Sequence, residues 1–179
     1  MMNEEHEDWL KNAEHYEVLL SIDSPFSNEH DKKKFYCDNG QRSLELYLKS
    51  YVSLVIDKDE EIESTHNISH LAGTASKASK EIYDCLVNRD SKYSWLVTFY
   101  NKFYFTDGRY PANKTNKNDP RFVSFYKKYA HISHEKIKSD TSFILKIIKK
   151  ELNIMKEKIK NNNKEKLLHD KANIQYKTM

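Results

Sequence analysis

The chain has 179 residues, enough for one domain with a continuous apolar core and short for two. Gly and Pro number only three each, while Leu, Ile, Lys and Glu are abundant, which argues against tightly turned β architectures and predicts a mainly α-helical fold. The net charge of +3 hides an uneven distribution, since residues 1–31 hold nine acids against Lys11 alone and residues 146–179 hold ten lysines against four acids. Such a basic end can attract phosphates, pair with the acidic N-terminal segment, or simply keep a helix solvated. No apolar run approaches the ~18 to 20 residues that a bilayer span requires, so no membrane contact is expected. Cys37 and Cys85 have no Cys-x-x-Cys spacing and no leader segment precedes them, so a reduced, cytoplasmic setting is expected.

In chain order, the first helix is predicted from Asn3, whose side chain can cap free backbone N–H groups while Glu4, Glu5 and Glu7 favour the positive end of the helix dipole. Trp9, Ala13, Tyr16 and Leu20 recur at helical spacing, and Ser24-Pro25 ends the element. A second helix, the core helix, is predicted over about 33–56 because Leu44, Leu48, Tyr51, Val52 and Val55 return to one face. Gly40 costs it up to about 1 kcal/mol relative to Ala unless a neighbour needs the space. Ser64 or Thr65 is expected to open a short turn through "THNISHLA", leading into a third helix around Ala75 to Leu86.

Asp90 or Ser91 then caps a fourth helix with a broad aromatic surface of Tyr93, Trp95, Leu96, Phe99, Tyr100 and Phe103, stopped at Gly108. Asp119-Pro120 restarts a helix, with Phe122, Phe125, Tyr126 and Tyr129 on one stripe. Leu145, Ile148, Leu152, Met155 and Ile159 form the stripe of the closing helix, suited to core packing or a dimer contact. The expected organisation is one helical bundle over 1–160 and a polar, basic tail over 161–179, frayed unless a partner orders it.

Several chemistries are not supported. Gly40, Gly73 and Gly108 cannot build a glycine-rich phosphate loop, and no cofactor is expected. His66 and His70 stand at a metal-ligand spacing without a third ligand, which leaves His66 as a turn or cap residue and His70 as a partly buried helix residue. His131 and His134 lack a nearby acid or cysteine set and read as surface histidines; no metal site is expected. The two cysteines read as core thiols. Gln41, Glu45 and Lys49, spaced by four, line up an amide, a carboxylate and an ammonium along the second helix; the plain reading is a solvated helix face carrying an i,i+4 ion pair.

Taken in order, four segments resemble a HEPN domain, the helical family of higher-eukaryotic and prokaryotic nucleotide-binding proteins. "DWLKNAEHYEVLL" is similar to the family's opening W-x-x-x-A helix, and Gln41, Glu45 and Lys49 to its Q-x-x-x-E-x-x-x-K element. Thr65, His66, Ile68 and Leu71 resemble its Thr-His-x-Leu-x-x-Leu turn, and Arg109, Tyr110 and Pro111 its Arg-Tyr-Pro segment, so that the likeness covers about 8–112. The resemblance implies an antiparallel bundle of about five helices, commonly a homodimer, that works on or beside nucleotides and RNA, often with a minimal nucleotidyltransferase partner in toxin–antitoxin or defence systems.

On that footing Arg109, Lys49 and Gln41 are the candidate phosphate contacts, with Tyr110 stacking beside them and Glu45, Pro111 and His66 as structural support. The family's nucleases carry Arg, four to six residues, then His. None of Arg42, Arg89, Arg109 or Arg121 is followed in that way, so no catalytic residue is assigned and a non-catalytic binding module is expected. The alternatives are a toxin-like, metal-independent ribonuclease using Arg109 with His66 or His131, and a purely structural protein-interaction bundle in which Arg109 anchors its loop to Glu45.

Overall fold

The computed structural model describes residues 4–56, 65–103 and 128–177, and every regular element among them is helical. These are α1 (Glu4–Ser21), α2 (Glu29–Val55), α3 (Ile68–Ser76), α4 (Lys80–Ile82) running into a π-helical turn (Tyr83–Val87), α5 (Trp95–Phe103) and α6 (His134–Lys177). Gly108, Asp119-Pro120, Phe122, Phe125 and Tyr126 lie outside the described residues.

The directions of the long helices follow from their side-chain bonds. His6 meets Ser50, the Ser43 hydroxyl donates to the Ala13 carbonyl, and the Tyr36 hydroxyl donates to the Ile22 carbonyl, so numbers rise along α1 as they fall along α2. The two are antiparallel. Lys138, Lys149 and Lys156 of α6 reach Ile22, Glu17 and Glu7 in the same falling order, so α6 also runs against α1 and therefore parallel to α2.

As predicted, α2 is the core helix: Leu44, Leu48, Tyr51 and Val52 are all buried, and α6 packs along it with Ile144, Leu145, Ile148 and Leu152. Burial fades beyond Met155, which is partly covered, and the helix nevertheless continues to Lys177. The segment expected to be a tail from Asn161 is thus helical through Lys177. The sequence loses its apolar stripe there but contains no Gly or Pro over 134–177, and Lys, Glu, Gln and Leu favour helix.

The charge asymmetry resolves into intramolecular pairing. Lys149 lies 2.9 Å from Glu17 and Lys156 3.3 Å from Glu7, so part of the basic segment is engaged by the acidic one. These exposed or half-exposed pairs contribute at most about 1 kcal/mol each, and their main effect is to fix which face of α6 lies over α1.

Two boundaries differ from expectation because side-chain caps act first. The second helix begins at Glu29, not near Lys33: Asn28 Oδ1 accepts from the Asp31 amide at 2.9 Å, and Glu29 and Asp31 sit in the first turn, where carboxylates favour the helix dipole. The expected third helix is two elements. As expected, Thr65 opens the turn, its hydroxyl accepting from the Asn67 amide at 3.3 Å; Asn67 then caps α3 by accepting from the His70 amide at 3.1 Å, and buried Ser79 opens α4 by accepting from the Ile82 amide at 3.1 Å. His70 is exposed on α3, not partly buried. The following turn closes from the Asn88 amide to the Tyr83 carbonyl at 2.8 Å, and the Ser91 hydroxyl donates to the Cys85 carbonyl at 2.6 Å, which compensates the disturbed ladder. Ser91, predicted as a cap, does cap the turn before α5, its hydroxyl accepting from the Tyr93 amide at 3.2 Å.

His6 on α1 is fully buried against α2. Its Nδ1–H donates to the Ser50 carbonyl at 2.8 Å, and no described group hydrogen-bonds Nε2. Burial, followed by repulsion from Lys156, depresses its pKa below 6.5 despite the opposing Ser50 bond and Glu7. The unfolded chain therefore takes up the proton first: the His6 contribution is fully present above about pH 6.5 and is lost as pH falls below it. Between pH 7.5 and 5, urea denaturation should show a steeper loss of stability in the native chain than in His6→Gln. Equal slopes would remove His6 from that account.

Candidate functional site

The i,i+4 spacing of Gln41, Glu45 and Lys49 places three polar groups on one face of α2, and that face is covered. Gln41, Glu45 and Lys49 are 4, 5 and 4 % exposed, which overturns the reading of a solvated ridge. Buried polar groups need partners, and here they supply one another's. Gln41 Nε2 donates to Glu45 Oε2 at 2.8 Å, while Lys49 Nζ stands 3.2 Å from Oε1.

A fourth group comes from another element. His66 Nδ1 lies 2.8 Å from Glu45 Oε1, with the imidazole 43 % exposed. Its position depends on how α3 begins: Asn67 caps the helix, Asn101 of α5 accepts from the Ile68 amide at 2.7 Å, and Asn101 Nδ2 donates to Asn67 Oδ1 at 3.1 Å. α5 thus holds the residue next to His66, and α2 holds the carboxylate that orients the ring. Because a carboxylate only accepts, Nδ1 carries a proton and the ring's other nitrogen faces away from Glu45.

Both Glu45 oxygens are therefore occupied, one by an amide and the other by an ammonium and an imidazole. The carboxylate is the hub. Gln41 and Lys49, read as phosphate contacts, turn to Glu45, and His66, read as support, carries the most exposed polar group of the set. Arg109, Tyr110 and Pro111 lie outside the described residues. Chemically, a carboxylate-bound imidazole at a half-open position can donate to a phosphate oxygen or relay a proton.

The thiols do not contribute. Cys37 is buried and Cys85 partly so, and burial, with Glu81 and Asp84 nearby, pushes the Cys85 thiol above its ordinary pKa. That disfavours the thiolate, as expected of a core cysteine.

One cluster was missed from the sequence. His134, at the start of α6, faces Glu29 of α2 and its neighbour Glu135. No local spacing reveals it, because Glu29 and His134 are 105 residues apart.

No described helix is long and apolar enough to cross a membrane. Neither a family model, nor a curated protein, nor a solved structure matches this chain.

Proposed function

We propose that this chain is a HEPN-like, non-catalytic helical module that binds a nucleotide or RNA through phosphate, working as a homodimer or beside a minimal nucleotidyltransferase in a toxin–antitoxin or defence setting. The observation that carries this reading is the cluster itself: two of the four family-like segments, "QRSLELYLK" and "THNISHL", meet side chain to side chain through Glu45 and His66. Two cationic or proton-bearing groups then converge on one buried carboxylate, which leaves the assembly neutral to positive and suited to an anion beside it.

In this reading Arg109 grips the phosphate with both arms of its guanidinium, Tyr110 stacks on a base, and Pro111 stiffens the backbone. Gln41 and Lys49 act from within by holding Glu45, and His66 adds a donor at the edge. The test is fluorescence anisotropy with a labelled single-stranded RNA at low and moderate salt. Micromolar binding that weakens at least tenfold from 50 to 300 mM salt, and at least fivefold in Arg109→Ala, is expected. Absence of binding at low salt sinks the proposal and favours a bundle that binds only protein.

The Glu45–His66 pair favours one further reading, the metal-independent ribonuclease, because a carboxylate that fixes an imidazole is the usual support of a proton-transfer group. The same RNA, incubated with excess protein and separated on a denaturing gel, distinguishes them. Intact RNA supports the binding module; cleavage that His66→Gln abolishes supports the nuclease.

A further inference from the structure

We infer that Glu29, His134 and Glu135 form a zinc site that ties the start of α2 to the start of α6. His134 Nδ1 lies 2.6 Å from Glu29 Oε1 and Nε2 3.1 Å from Glu135 Oε1. One ligand atom from each residue falls within 4.8 Å of the others. Zinc bonds of about 2.0 to 2.2 Å set tetrahedral ligands ~3.3 Å apart, so the ion takes one ring nitrogen, the 2.6 Å Glu29 contact opens, and the carboxylate now at the other nitrogen swings round to join it. The carboxylates have that freedom, being 63 and 70 % exposed.

The imidazole is already oriented. It is 15 % exposed and stacks on Tyr36 with centroids 5.6 Å apart and an interplanar angle of 7°. A preformed nitrogen ligand between two adjustable carboxylates reduces the ordering needed on binding.

Charge and ligand type select the ion. Two carboxylates balance the two positive charges of the metal, and zinc takes the place of the proton on the one ring nitrogen it binds. An imidazole ligand suits zinc and disfavours magnesium and calcium, which take oxygen donors. Three protein ligands leave the fourth position to water.

The rival arrangement is a protonated His134 held between two carboxylates with no affinity for metal. Calorimetric titration of the chelator-treated full chain with zinc chloride at pH 7.5 separates the two. One zinc per chain, with a Kd on the order of 1 to 10 μM, is expected for three ligands of which two are exposed. Glu29→Gln and His134→Gln should each weaken it at least tenfold, His15→Gln on the exposed face of α1 should leave it unchanged, and magnesium chloride should give no heat. Replacing zinc by cobalt(II) should produce the visible absorption of a four-coordinate ion in the native chain and not in His134→Gln. No binding at 100 μM zinc, or binding that survives both Glu29→Gln and His134→Gln in folded protein, overturns the site.

Discussion

Glu45→Ala is expected to destabilise the chain by about 3 to 5 kcal/mol, the usual cost of breaking a buried ion pair from one side. The Lys49 side chain is only 5 % exposed and Glu45 is the carboxylate it faces, so its ammonium would remain in the interior with that anion removed. Gln41 would lose its acceptor at the same time, adding the desolvation cost of a buried amide. Chemical denaturation of the two proteins measures the difference. A double variant, Glu45→Leu with Lys49→Met, should recover most of the loss, because well-packed apolar groups commonly replace a buried pair without net cost. A loss under 1 kcal/mol in Glu45→Ala would mean that other groups or water hold the Lys49 ammonium, and Glu45 could not then be called the hub.

The same substitution separates stability from function. If Glu45 orients His66, the ring in the recovered double variant keeps its place on the α3 lead-in, which Asn67 and Asn101 hold, but loses the acceptor at Nδ1. Any contribution of His66 to phosphate binding or proton transfer should then fall while the fold stands. A merely structural role for the cluster predicts no such separation.

What was legible in the sequence was periodicity. Ala13 and Leu20 on α1, Leu44, Leu48, Tyr51 and Val52 on α2 and Leu145, Ile148 and Leu152 on α6 are buried where helical spacing put them, with Tyr16 half-buried, because apolar burial dominates the choice of face. Local polar competition was less legible. Asn28, Asn67 and Ser79 decide where helices start, and each does so with a single hydrogen bond worth about 1 kcal/mol, too small to stand out among other Asn and Ser residues.

Long-range chemistry was legible only where two motifs had each been noticed. Glu45 and His66 lay in separate cues, and their contact follows from packing α3 against α2. Glu29 and His134 carried no cue in common, since their meeting depends on α6 running parallel to α2 and starting beside its first turn. The direction of a helix relative to another is a tertiary property, and no spacing within either helix encodes it.

Gly40→Ala tests the packing at the centre of that parallel pair, and its sign is informative. Helix propensity alone would make the substitution stabilising by about 1 kcal/mol. A methyl group at residue 40, however, would overlap the Tyr100 hydroxyl and stand 3.1 Å from Tyr100 Cζ and 3.3 Å from Thr141 Cγ2. Tyr100 is fully buried, and its hydroxyl is 2.6 Å from Thr141 Oγ1, so the ring lacks an easy retreat. Overpacking of this kind typically costs about 1 to 3 kcal/mol, and a net destabilisation in that range is expected by thermal or urea denaturation. Tyr100→Phe removes the overlapping oxygen at the expense of the Thr141 bond, about 1 kcal/mol. In that background Gly40→Ala should cost at least 1 kcal/mol less than in the native chain, a coupling within the range seen for residues in contact. Additive effects would show that α2 and α5 separate to admit the methyl group, and Gly40 would then have no packing reason to be glycine.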